Sequence, residues 1–175
     1  VTTKWTFESL YSSFIYIVQI PLMKQKIISE WNLFITSDQQ KLYYNISKKS
    51  LFASGQPILV LCNGIGSSNS AWKYVIEELQ SSFIILQVAY RGTIEYSSDM
   101  NLQLRRHAED VFELVEDLNI NVFGILGWSM GVQVALHLST MIHPKAMVLL
   151  SGAQNQATSR VLNSKFLCNS INSLK

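Results

Sequence analysis

Residues 125–136, Ile-Leu-Gly-Trp-Ser-Met-Gly-Val-Gln-Val-Ala-Leu, join two patterns at one serine. An aliphatic run ends at Leu126 and a helical pattern opens after Ser129, so the chain must turn sharply between them. Gly127 and Gly131 flank that turn, and the lack of a Cβ at both relieves its crowding. The turn lifts a hydroxyl above the carboxyl end of a strand, where ligands bind in open α/β sheets. It also sets the hydroxyl at a helix N-terminus, where main-chain N–H groups and the positive dipole end face developing negative charge. The chemistry implied is nucleophilic attack by Ser129, with the Met130 N–H as one donor to the oxyanion. The bland alternative is a serine N-cap with tight glycine packing. The strand before and the helix after favour the nucleophile.

A serine is a poor nucleophile without a base, and the base needs an orienting carboxylate. All twelve carboxylates lie at or before Asp117, and residues 118–175 carry none. Basic residues persist there as Lys145, Arg160, Lys165 and Lys175. Only His137 and His143 follow Ser129. His137 is expected two turns along the next helix, and His143, before Pro144, at the far end of the sheet. His107 precedes the serine on another helix. None of the three is expected to serve as base.

The elements that must position Ser129 read as alternating strands and helices. Residues 31–36 and 41–46 form a hairpin about Ser37-Asp38-Gln39-Gln40. Pro57 opens Ile58-Leu59-Val60-Leu61-Cys62, an aliphatic run without alternation, as in a parallel strand buried on both faces. A helix over 69–79, capped by Ser68 or Asn69, a strand over 83–88 and a helix over 101–118 follow. That last helix lines up Leu104, Ala108, Val111, Phe112, Val115 and Leu118 on one face. A strand over 122–126, a helix over 129–141 and a strand over 146–150 complete the order. The alternation implies βαβ units and an α/β fold: a mostly parallel sheet with helices on both faces.

Composition narrows the rest. The chain has 175 residues, 48% hydrophobic and 15% charged, which suits one globular domain with a real core. A net charge of +2 argues against nucleic acid as a partner. Cys62 and Cys168 have no metal-type spacing and imply neither a disulfide framework nor zinc. Free thiols and no recognisable signal give a weak preference for the cytoplasm. Residues 10–23 are apolar but broken by Ser12, Ser13, Gln19 and Pro21, too short and interrupted for a span of roughly 20 residues. They read as part of a helical N-terminal extension, 1–30, with an interfacial membrane helix and a targeting remnant as the alternatives.

With these residues in order, the chain resembles the α/β-hydrolase superfamily, in its lipase, esterase and cofactor-free haloperoxidase-like branch. The resemblance runs from about Trp31 to Gly152. It includes the hairpin, Asn63-Gly64-Ile65-Gly66 after Cys62, Trp72, Tyr90-Arg91-Gly92, His107-Ala108-Glu109-Asp110 and the turn at Ser129. It implies that the Ile65 N–H is the second oxyanion donor, with Gly64, Gly66, Gly127 and Gly131 in support. Asn63 stands where the family usually has histidine, which changes how that loop is anchored. A phosphate-binding loop is disfavoured, since no GxGxxG or Gly-Lys-Ser/Thr is present. Ala89 stands where an aspartate usually precedes the Tyr-Arg-Gly turn, and Arg91 is read as architectural.

The resemblance also implies an ester or thioester hydrolase working through an acyl-serine, without cofactor or metal. Ile65, Trp128 and Met130 would wall a pocket for an apolar acyl group of a small-molecule ester. Acyltransferase or perhydrolase chemistry on the same serine, and a non-catalytic hydrolase-like protein, are the alternatives. Epoxide hydrolase and dehalogenase chemistry is disfavoured, because those use aspartate at the apex. The family's acid and histidine come after further strands, so the chain reads as a hydrolase core over 31–152, with 153–175 as the start of a cap or a tail. It reads, in short, as C-terminally truncated, lacking the cap and last strands.

Overall fold

A computed structural model describes residues 31–47, 55–64 and 69–152. The expectations for 1–30 and 153–175, and those for Ile65 and Gly66, lie outside the described residues.

Strands β1 (Asn32–Ile35), β2 (Lys41–Ile46), β3 (Ile58–Cys62), β4 (Ile84–Ala89), β5 (Val122–Trp128) and β6 (Ala146–Leu150) form one sheet, ordered β1-β2-β4-β3-β5-β6. The β1–β2 hairpin is antiparallel and β2 joins β4 antiparallel. The β3–β4, β3–β5 and β5–β6 pairs are parallel. Helix α1 (Lys73–Leu79) covers one face, while α2 (Leu104–Asp117) and α3 (Met130–Ile142) cover the other. This is the mixed, mostly parallel α/β sheet that the alternation implies.

The cores explain the unbroken apolar runs. All five residues of β3 are buried: Ile58, Val60 and Cys62 face α2 and α3, while Leu59 and Leu61 face α1. Strand β5 does the same with one irregularity. Ile58 pairs with Val122 but Leu59 pairs with Gly124, so Phe123 is an extra residue. The insertion shifts the alternation of faces. Val122 and Ile125 therefore face α2 and α3, and Phe123, Leu126 and Trp128 face the α1 side.

Three boundaries differ from the sequence expectation by more than one residue. The first helix opens at Asn69 as expected but begins as a 3-10 turn, Asn69–Trp72, and α1 starts at Lys73 with Trp72 as its N-cap; the expected cap at Ser68 or Asn69 lies outside the described side chains. Helix α2 starts at Leu104 rather than 101, because the Asn101 side chain accepts the Gln103 N–H at 3.0 Å and holds that stretch in a turn. Strand β5 continues to Trp128, bringing paired backbone up to the serine itself. At the sheet's edge, β6 has no further strand beside it among the described residues, and Val148 and Leu150 are 46% and 44% exposed.

Candidate active site

The Leu126–Gly131 segment makes the turn that its glycines forecast. Ser129 has φ 55° and ψ −120°, left-handed backbone that a residue with a Cβ rarely adopts. Its N–H donates to the Leu150 carbonyl at 2.9 Å, tying the apex to the end of β6. The Val132 N–H donates to the Ser129 carbonyl at 3.1 Å as α3 begins. A Cβ on Gly127 would lie 2.7 Å from the Gly131 carbonyl oxygen and 3.0 Å from the Ala135 Cβ. A Cβ on Gly131 would lie 2.0 Å from the Cys62 carbonyl oxygen and 2.6 Å from that of Asn63. The first turn of α3 thus sits directly on the end of β3, an approach open to glycine alone.

Ser129 and Trp128 are half-buried at the carboxyl end of β5. The Met130 side chain is 1% exposed and packs in the α2–α3 core. That corrects one expectation: Met130 does not wall the pocket, because its side chain points into the apolar layer beneath α3. Its main chain remains at the first position of the helix, where N–H groups lack intrahelical acceptors.

The exit from β3 lies beside the serine. A Cβ on Gly64 would stand 3.2 Å from the Ser129 Cβ and 3.2 Å from Cε3 of Trp128. Asn63, 5% exposed, donates from Nδ2 to the Val88 carbonyl at 3.0 Å and accepts the Trp72 indole N–H at Oδ1, 2.6 Å away. This anchoring was not assigned from the sequence. The signal for it was the asparagine in the usual histidine position, followed by Trp72.

Arg91 is architectural, as expected. Its guanidinium, 1% exposed, makes two 2.6 Å bonds to Asp110 on α2 and bonds of 2.8 and 2.9 Å to Asp38 in the hairpin turn. Arg106 joins the cluster at Asp38, Asp110 and Glu113. Hydrogen bonding from Arg91 holds the Asp38 carboxyl well below the usual carboxylate range. Burial pushes Asp110 up to about 6, against the pull of Arg91 and Arg106.

The histidines lie away from the hydroxyl. His137 is about 12 Å along α3 from Ser129 at 1.5 Å per residue, half-buried and shifted down by burial and then by Arg105. His143 is the exposed C-cap at the far end of α3. His107 is fully buried, stacks on Tyr90 with ring centroids 5.0 Å apart, and is pushed down to about 3 by burial and the Arg91 charge. The Ser129 side chain makes no capping hydrogen bond, and no histidine or carboxylate is bonded to it among the described residues. Cys62, beneath the elbow, is buried with its thiol pushed up to about 12 by burial. Among the described residues no group of three or more His, Cys, Asp or Glu side chains could hold a metal, and no helix is long and apolar enough to cross a membrane.

No family model matches the chain. It is similar to a putative carbamate hydrolase, RutD, of Agrobacterium fabrum, with 29% identity over 85 residues, covering 47% of this chain and 33% of that protein. A hydrolase from Pseudomonas aeruginosa superposes with a TM-score of 0.62 at 24% identity, over 83% of this chain and 57% of its own. An esterase from Exiguobacterium antarcticum superposes with a TM-score of 0.55 at 22% identity, over 70% of this chain and 45% of its own. The chain therefore spans about half the length of these two structures and a third of the curated relative.

Proposed function

Starting from the α/β-hydrolase fold that this chain has, we propose that Ser129 is the nucleophile of a serine hydrolase acting on carboxylic esters or thioesters. The observation that carries the proposal is the Ser129 backbone itself. A non-glycine residue at φ 55°, at the end of β5 and half-exposed, is a strained setting that folding alone does not favour. In the reaction, Ser129 Oγ bonds to the acyl carbon and its proton passes through a base to the departing alkoxide or thiolate as the acyl–leaving-group bond breaks. Water then attacks the acyl-serine, returns a proton by the same route and releases the acid. The Met130 N–H and, by resemblance, the Ile65 N–H stabilise the oxyanion, with Gly66 in support by the same resemblance, while Gly64, Gly127 and Gly131 allow the close approach. The substrate would be a small ester with an apolar acyl group, with acyl transfer to another acceptor as a variant of the same chemistry.

Residues 118–175 hold no Asp or Glu, and His137 and His143 lie down and beyond α3. The proposal therefore places the base and its carboxylate outside these 175 residues. The second reading, a non-catalytic hydrolase-like protein, is favoured by the same gap. A fluorophosphonate probe separates them. The 175-residue chain should remain unlabelled. A product of the reading frame carried past Lys175 should label and lose the label in Ser129→Ala. Labelling of the 175-residue chain alone would overturn the assignment of the base, and an unlabelled longer product would favour the non-catalytic reading.

A further inference from the structure

We propose that Asn63 and Trp72 are positioning residues: their hydrogen bond straps the base of the loop after β3 and holds the Asn63-Gly64 main chain against Ser129. The inference rests on Ser129 being the reacting residue, but the strap itself is a matter of geometry.

The Asn63 carboxamide is used in both directions. Nδ2 donates to the Val88 carbonyl at 3.0 Å, which ties the loop's entry to β4. Oδ1 accepts the Trp72 N–H at 2.6 Å, which ties the same residue to the loop's exit nine positions later. Trp72 is in turn fixed, 3% exposed among Leu59, Leu61, Ile85 and Leu126. A buried amide with a donor site and an acceptor site filled by two immobile partners has one orientation. The next residue inherits it. Gly64 passes close enough to Ser129 that a Cβ on it would touch the serine's at 3.2 Å. On the other side, Gly131 leaves no room between α3 and the carbonyls of Cys62 and Asn63. The loop entry therefore touches the elbow at Gly64 and Gly131 while the Asn63 side chain is held from β4 and from Trp72.

The chemistry of the strap predicts which replacements preserve it. A neutral imidazole also offers one donor and one acceptor, so histidine can fill both bonds. Aspartate can accept from Trp72 but cannot donate to Val88. Leucine can do neither.

Cross-linking reads the geometry directly. Gly64→Cys with Ser129→Cys, in a Cys168→Ser background, sets two Cβ atoms near the roughly 3.5–4.5 Å that a disulfide needs. Cys62, buried and with its thiol pushed up to about 12, stays out of the exchange. With oxidised glutathione as oxidant, the cross-link should form readily. Adding Asn63→Asp, Asn63→Leu or Trp72→Phe should slow it about tenfold or more, as expected when a supporting contact is lost. Asn63→His should restore the parent rate. The unfolding midpoint of each reduced variant is measured alongside. A merely structural role would lower the midpoint and leave the cross-linking rate of the folded protein unchanged. Should Asn63→Leu fail to fold, Trp72→Phe carries the test. Parent rates in both Asn63→Asp and Trp72→Phe, or a rate in Asn63→His as slow as in Asn63→Asp, would overturn the proposal. Cross-linking needs no serine hydroxyl, so a chain that the fluorophosphonate leaves unlabelled still reports on the strap.

Discussion

The turn at Ser129 and the cluster around Arg91 both bind distant segments together, but by opposite means. At the turn the joints are main chain on main chain: Gly131 on the carbonyls of Cys62 and Asn63, Gly127 on Gly131, and the Ser129 N–H on Leu150. At Arg91 the joints are long charged side chains, which bring the hairpin turn and α2 onto one guanidinium. The first kind of joint tolerates no added atom. The second tolerates none removed, since a buried charge without its partner is costly. The rigid, side-chain-free joint surrounds Ser129, the proposed nucleophile, and the ionic joint ties the hairpin turn to α2.

That contrast can be broken at either end. The largest effect belongs to Gly131→Ala. Its methyl would meet backbone 2.0 Å away, with no flexible side chain to yield, so a loss of about 4 kcal/mol or more is expected in the urea midpoint. Arg91→Met comes next. It strips buried Asp110 of its two 2.6 Å bonds and leaves it the 3.1 Å contact to Arg106, for a loss of about 3 kcal/mol. Adding Asp110→Leu should recover most of it, because an apolar pair of similar volume removes the stranded charge. No second change should rescue Gly131→Ala in that way. A double variant no better than Arg91→Met would show that the ionic joint is also one of shape.

The smallest effect sharpens the boundary between the two regions. His107 stacks on Tyr90, the neighbour of Arg91, and its pKa falls from 6.5 to about 3 on folding. Between those values the unfolded chain binds the extra proton, so this contribution is complete above pH 6.5 and is lost as the pH falls towards 3. The slope is at most about 1.4 kcal/mol per pH unit. Asp110, raised to about 6, and Asp38, held low, face the same cluster and contribute with opposite signs. The difference in slope between the parent and His107→Phe isolates the histidine, and equal slopes would count against its being neutral when folded.

Much of the scaffold was legible because burial leaves a mark on composition. The aliphatic run 58–62 and the spacing of Ala108, Val111 and Val115 each had one packing solution. The turn at Ser129 was legible because steric demand selects glycine at 127 and 131. What could not be read was any contact whose partners lie far apart in sequence. Asp38 belongs to a hairpin turn and Asp110 to a helix, and nothing local says that both meet Arg91. Met130 was misassigned to the pocket wall for a related reason. An elbow turns the chain by an amount that sequence does not specify, and that turn decides which side chains point inward.

The backbone angle at Ser129 also bears on how such a chain changes over generations. Glycine would occupy that conformation without a steric penalty, whereas serine there costs on the order of 1–3 kcal/mol. A descendant with no use for the hydroxyl would gain stability from glycine at this one position. With Ser129 in its proposed role, selection for stability and selection for reactivity pull against each other there.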